Sequence, residues 1–221
     1  MKTALPTDFT ITCHAGSLGT RANTVDSVKT AVKWGAQIVE FDVTFRPSGT
    51  AVIIHSGSPS EDEGELLSEA LAAVAESASC RINLDLKSTA NLPEVDRLVA
   101  AAGLSDRVFY TGVGEEWVNT VKANSSIPYY LNHRITLREA LNKKAAEQLA
   151  AKAKSLGAIG INSHFSTATA GYTATIHRCG LLVSLWTVDS ISQMKRVLRL
   201  APDNITTRQP DKLKKLVDSI K

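Results

Sequence analysis

What this chain lacks narrows the reading first. No uninterrupted apolar run approaches the roughly 20 residues that a membrane helix needs, so stable membrane insertion is not expected. The N-terminus carries no basic segment followed by an apolar core, the pattern of a secretory leader; the expected location is the cytoplasm. Cysteine is scarce. Cys13, Cys80 and Cys179 are the only three in 221 residues, with no close pair and no metal-ligand spacing, which argues against a disulfide framework or a thiolate zinc site. Apolar neighbours such as Ile11 and Ile82 point to reduced, buried thiols. An excess of one charge is missing too: Lys plus Arg total 25 against 22 Asp plus Glu, a formal net of +3 with neutral histidines. That balance is too mild to predict a nucleic-acid partner. Linkers, low-complexity tracts and internal repeats are also absent, so one domain over residues 1–221 is expected.

What is present is an ordinary globular composition, 43% hydrophobic and 21% charged, sufficient for a core without covalent staples. Short β-rich runs alternate with helical patterns along the whole chain. Phe9–His14 reads as a strand, with Asn23 as the N-cap of the helix that follows. Gln37–Thr44 is a second strand, and the turn at Pro47-Ser48-Gly49 leads straight into Ala51–His55, which makes a hairpin. An Ala-rich helix near Glu65–Ala75 precedes strands at Arg81–Lys87, Arg107–Thr111, Ile127–Asn132, Ala158–Asn162, Leu181–Val188 and Asn204–Thr207. Helices are expected between them, including one over Leu137–Leu156 whose four-residue row, Leu137, Leu141, Ala145, Leu149 and Ala153, predicts one buried stripe. Setting the hairpin strand aside leaves eight strands with helices mostly between them. The predicted fold class is α/β, a TIM (β/α)8 barrel with a short β-hairpin after the second strand, and a doubly wound open sheet is the alternative.

Barrel enzymes place their chemistry at the C-terminal ends of the strands, and the polar residues of this chain gather there. His14 ends the first strand. Glu40 and Asp42 lie two apart on the second, on one side of the sheet. His55 ends the hairpin strand, and Asp85 and Lys87 close the next barrel strand. In Ile82-Asn83-Leu84-Asp85-Leu86-Lys87 the polar residues share one face, which must look into the barrel because helices cover the outside. Three carboxylates in one cleft repel one another unless a cation compensates them. A hard divalent ion, Mg²⁺ or Ca²⁺, suits such oxygen ligands, and Lys87 beside it suits an anionic phosphate. Histidines His14 and His55 titrate near neutrality and suit proton transfer. His164 is a weaker candidate for substrate contact, His133 is weaker still, and His177 reads as helical packing or capping.

The series Cys13-His14-Ala15-Gly16, Asn23-Thr24, Glu40-Phe41-Asp42-Val43, Ile54-His55, Asn83-Leu84-Asp85-Leu86-Lys87, Ser184-Leu185-Trp186-Thr187-Val188-Asp189 and Thr206-Thr207-Arg208-Gln209-Pro210 resembles the glycerophosphodiester phosphodiesterase family, in order and over nearly the whole chain. The resemblance implies a TIM barrel that binds one divalent cation and hydrolyses a small-molecule glycerophosphodiester to glycerol 3-phosphate and an alcohol. His14 and His55 would be the general acid and base, and Glu40, Asp42 and Asp85 would hold the metal. Lys87 would meet the phosphate and Trp186 would line the pocket near the glycerol.

Three positions depart from the family pattern. Ala15 stands where the family usually has arginine, Ala22 where it usually has glutamate, and Asp85 where glutamate is common. Arg21, in the same loop as Ala22, is a candidate to replace the missing positive charge. The stretch Ser56–Ser79 has room only for a loop and one helix, so no sizeable cap is expected and the pocket should be open. Two rival functions remain at this stage. One is a lyase or phospholipase on the same barrel that gives a cyclic phosphate; the other is a catalytically weak phosphoester-binding barrel, for which Ala15 and Ala22 speak.

Overall fold

In the computed structural model, which describes residues 5–220, eight parallel strands close on themselves. The first four residues and Lys221 of the expected domain lie outside the described residues. The barrel strands are β1 (Thr10–Cys13), β2 (Ile38–Phe45), β5 (Arg81–Leu86), β6 (Val108–Val113), β7 (Tyr129–Asn132), β8 (Gly160–His164), β9 (Leu182–Trp186) and β10 (Asn204–Thr207). Each pairs in parallel with its neighbours, and β1 closes the ring by pairing with both β10 and β2. Closure, which decides between a barrel and an open sheet, is therefore observed: this is a TIM barrel.

Strand parity sorts the side chains. In β2, Val39, Phe41 and Val43 face outward into the main core, while Ile38 belongs to a separate interior cluster with Phe109 and Tyr130. Glu40 and Asp42 share Ile38's parity and so look inward. In β5, Ile82, Leu84 and Leu86 are buried in the outer layer, which turns Asn83 and Asp85 inward. Elsewhere the interior is polar and internally bonded: Asn204 donates to Thr12 Oγ1 at 2.8 Å and Ser184 to Asn204 Oδ1 at 3.1 Å. At β6 the register with β7 shifts, and Gly112 adopts φ 77°. A Cβ there would stand 2.4 Å from the Leu86 carbonyl oxygen, so only glycine fits beside β5 at this point.

The outer ring holds α1 (Val25–Trp34), α2 (Leu67–Ala75), α3 (Leu92–Ala101), α4 (Glu115–Asn124), α5 (Leu137–Leu141), α6 (Lys143–Leu156), α7 (Ala170–Arg178), α8 (Ile191–Leu198) and α9 (Pro210–Asp218). The expected hairpin is present as β3 (Ala51–Ile53), antiparallel to β2. Beyond it lies a strand the sequence did not predict, β4 (Glu65–Leu66), antiparallel to β3 and occupying the start of the expected helix.

Two local expectations are corrected. The expected helix 137–156 is two helices, broken at Asn142, whose backbone is extended and whose side chain caps α6 by accepting the Ala145 N–H at 3.1 Å. Two helices need not share one buried stripe: Leu137 and Leu141 are 70% and 80% exposed, while Ala145, Leu149 and Ala153 are buried. The N-cap of α1 is Thr24, whose side chain accepts the Ser27 N–H, and not Asn23. Asn23 adopts φ 55° and turns its side chain elsewhere, as described below. Among the described residues no helix is long and apolar enough to cross a membrane.

Candidate active site

The inward parity of β2 and β5 brings three carboxylates to one mouth of the barrel. Oxygens of Glu40, Asp42 and Asp85 lie within 4.8 Å of one another. Each is held by other atoms. Glu40 Oε2 accepts the Ala15 backbone N–H at 2.9 Å, and Asp85 Oδ1 accepts the Thr111 hydroxyl at 2.8 Å. Lys87 Nζ lies 2.9 Å from Asp42 Oδ1 and also touches Asp85 Oδ2. Burial, and after it the charges of Asp42 and Asp85, push the Glu40 carboxyl well above the usual range. Burial also acts upward on Asp42, but the Lys87 ammonium and hydrogen bonds from Asn23, Lys87 and His55 outweigh it and bring that group below its ordinary value. Lys87 is raised in turn, because the two aspartates overcome its desolvation. One lysine thus leaves the trio under-compensated. A carboxylate forced towards its protonated form beside two others fits an oxygen-liking divalent cation, and no cysteine thiol belongs to the cluster.

Both expected histidines flank this cluster. His14 Nδ1 donates to the Ala15 carbonyl at 2.8 Å, with Glu40 Oε2 at 3.8 Å. A carbonyl can only accept, so the proton sits on Nδ1 and Nε2 is left for other work. Burial lowers the His14 pKa, favouring the neutral ring. His55 Nδ1 lies 3.0 Å from Asp42 Oδ2, and its side chain is 81% exposed, consistent with an open mouth. Both rings are thereby anchored through Nδ1.

The remaining expected residues are spread around the rim. Trp186 ends β9 and stands edge-on to His164, with ring centroids 5.5 Å apart; its Nε1 is buried without a hydrogen-bond partner among the described residues. Arg21 is exposed, and its side chain forms no hydrogen bond or ion pair with any described residue. It is not drawn into the cluster. His133 pairs with Glu139 at 2.9 Å and His177 with Asp203 at 2.7 Å, both away from the carboxylates. Cys13 and Cys80 are buried, and burial raises their thiols to about 12 and about 11. Cys179, at the end of α7, is partly exposed, contrary to expectation, because a helix C-cap faces outward here. A groove of about 1090 Å³ lies at the other end of the barrel among Phe9, Ile11, Trp34 and Gln37, and contains none of the expected site residues.

No family model and no curated protein matches this sequence. Solved structures do. An Agrobacterium tumefaciens protein assigned as a glycerophosphoryl diester phosphodiesterase superposes with TM-score 0.79 at 17% identity, over 96% of this chain and 98% of that one. An Oleispira antarctica phosphodiesterase, solved in complex with the product sn-glycerol-3-phosphate, gives 0.75 at 18% identity over 97% of both chains. A glycerophosphodiester phosphodiesterase from Parabacteroides distasonis gives 0.74 at 19% over 96% and 98%. This chain has the glycerophosphodiester phosphodiesterase fold.

Within that fold, the sequence reading missed a residue that builds the site. Asn23 grips Asp42 from both ends of its amide: Nδ2 donates to Asp42 Oδ2 at 2.7 Å, and Oδ1 accepts the Asp42 backbone N–H at 2.9 Å. The left-handed backbone at Asn23, which asparagine tolerates, aims the side chain at β2 instead of capping α1. Partners that orient ligand carboxylates typically contribute 10–100-fold to metal affinity. For a divalent cation held by this cluster, Asn23→Ala is therefore expected to weaken binding by about 10–100-fold, measured by isothermal calorimetry; unchanged affinity would mean that Asp42 needs no such brace.

Proposed function

We propose that this protein hydrolyses a glycerophosphodiester to glycerol 3-phosphate and an alcohol, with the help of one divalent cation, Mg²⁺ or Ca²⁺. The observation that carries the reading is the pair of Nδ1-anchored histidines beside a three-carboxylate cluster at the barrel mouth, His14 next to Glu40 and His55 on Asp42. Glu40, Asp42 and Asp85 would hold the cation, which when bound supplies electrostatic stabilisation for the charge that builds on the phosphate.

The residues of the chain divide the remaining work. Lys87 keeps positive charge beside the aspartates and faces the phosphate. His14 is favoured as a neutral ring by burial, so its free Nε2 takes the proton of the attacking hydroxyl. His55 is oriented through Nδ1 by the Asp42 carboxylate, which leaves Nε2 as the atom that delivers a proton to the leaving alkoxide. Trp186, edge-on to His164 at the end of β9, offers a flat apolar wall for the glycerol portion. The short chain between His55 and α2 builds no cap, so a range of alcohol groups can project outward.

The test is product analysis with glycerophosphocholine and Mg²⁺ or Ca²⁺, by phosphorus NMR. Glycerol 3-phosphate with stoichiometric choline supports the reading. Accumulation of a cyclic phosphate as the end product would replace it with the lyase reaction. Binding of metal and phosphodiester with no turnover would make the barrel a phosphoester-binding module.

A further inference from the structure

This inference rests on the phosphodiesterase reading and concerns how the same site grips phosphate. A phosphodiester shares one negative charge over two non-bridging oxygens, and the three carboxylates that would hold a cation lie together on β2 and β5. Oriented binding calls for a cationic donor on another side. Lys87 faces the phosphate with a single ammonium that it shares with Asp42 and Asp85, and Ala15 beside His14 adds no second charge.

Arg208 is placed differently. It directly follows β10 at the seam where the barrel closes: Cys13 pairs with Thr207, and the His14 N–H donates to the Thr207 carbonyl at 3.0 Å. Its backbone is pinned on both sides, the N–H by Asp189 Oδ1 at 2.8 Å and the carbonyl by the Leu18 N–H at 3.3 Å. The guanidinium gives Nη1 to Asp189 Oδ2 at 2.7 Å. Nε and Nη2 form no hydrogen bond with any described residue, and the side chain is 47% exposed. Nε and Nη2 make up the paired edge with which arginine reads oxyanions. Proximity to the reacting groups follows from the backbone, since Thr207, one residue before Arg208, is bonded directly to His14.

We propose that Arg208 is a substrate-binding residue of this site, its Nε/Nη2 edge receiving a non-bridging phosphate oxygen while Asp189 holds the rest of the guanidinium in place.

The experiment is a calorimetric titration of inorganic phosphate into the full-length protein saturated with Mg²⁺, for wild type, Arg208→Ala and Arg208→Lys, with Mg²⁺ affinity and melting temperature measured alongside. Loss of one charge-assisted contact is expected to weaken phosphate binding about 10–100-fold in Arg208→Ala, with KM rising more than kcat falls on a glycerophosphodiester. Lysine should restore only part of the affinity, and Mg²⁺ affinity should stay within about twofold. Wild-type phosphate affinity in Arg208→Ala, full rescue by lysine, or a joint loss of phosphate and Mg²⁺ binding would overturn the assignment. A wild type that hydrolyses glycerophosphodiesters while Arg208→Ala binds phosphate normally sinks this inference alone. A wild type that neither binds phosphate nor turns over sinks the proposed function, and the role of Arg208 with it.

Discussion

His14→Ala and His55→Ala are each expected to lower kcat on glycerophosphocholine by about 10²–10⁴-fold, the usual worth of a positioned proton-transfer group. Both rings are fixed through Nδ1, His14 by the Ala15 carbonyl and His55 by Asp42, so each presents one defined nitrogen to substrate. The two variants should differ in pH dependence. In wild type a basic His14 must be unprotonated, so activity rises with pH through the His14 pKa. Burial holds that value below the ordinary 6.5, and a cation bound nearby pushes it the same way, so the acid limb of the kcat/KM profile should fall below 6.5. His14→Ala should flatten that limb and His55→Ala should leave it. Activity within about threefold of wild type in either variant would remove the acid–base scheme.

The second large effect concerns the cation. Glu40 has a folded-state pKa well above its ordinary 4.5, first from burial and then from Asp42 and Asp85. The folded chain therefore binds more protons here than the unfolded chain, and without a cation this group makes stability fall as pH rises from about 4.5 through the raised value. Asp42 acts oppositely: its depressed pKa stabilises the fold above 3.8 and that contribution is lost on acidification. A divalent cation needs Glu40 ionised, so its affinity should grow with pH over the window in which Glu40 loses its proton. At a free concentration about 100-fold above Kd, binding stabilises by about 2.7 kcal/mol, or roughly 5–11 °C in Tm for a chain of this size. The gain from Mg²⁺ or Ca²⁺ in differential scanning fluorimetry should be larger at pH 8 than at pH 5. Glu40→Gln should relieve the repulsion, keep the Ala15 contact through its amide oxygen, and abolish most of the gain. An equal cation response in that variant, or a greater gain in acid, would exclude Glu40 as a ligand.

Much of this arrangement was legible along the chain because strand parity is a local property. Glu40 with Asp42, and Asp85 with Lys87, stand two apart in runs whose alternate residues are apolar, so a common inward face followed from the two-residue period alone. The rhythm of strands and helices gave the α/β class for the same reason, with barrel and open sheet both compatible with it. Asn23 shows where local reading stops. Its position before a helical pattern satisfied the capping rule, yet its partner is Asp42, 19 residues away, and only the approach of the loop to β2 decided between the two roles. Leu137 and Leu141 matched a helical stripe, but the break at Asn142 separated them from the buried face of α6.

Sequence by itself determined which residues alternate, where strands end and which charges recur at those ends, because backbone periodicity and turn chemistry act between near neighbours. Tertiary structure alone decided that the sheet closes through β1 and β10 and that Asp189 and Arg208 meet at that seam beside His14. Those outcomes depend on contacts between segments as much as 194 residues apart, such as Asn204 with Thr10, and no local pattern encodes them.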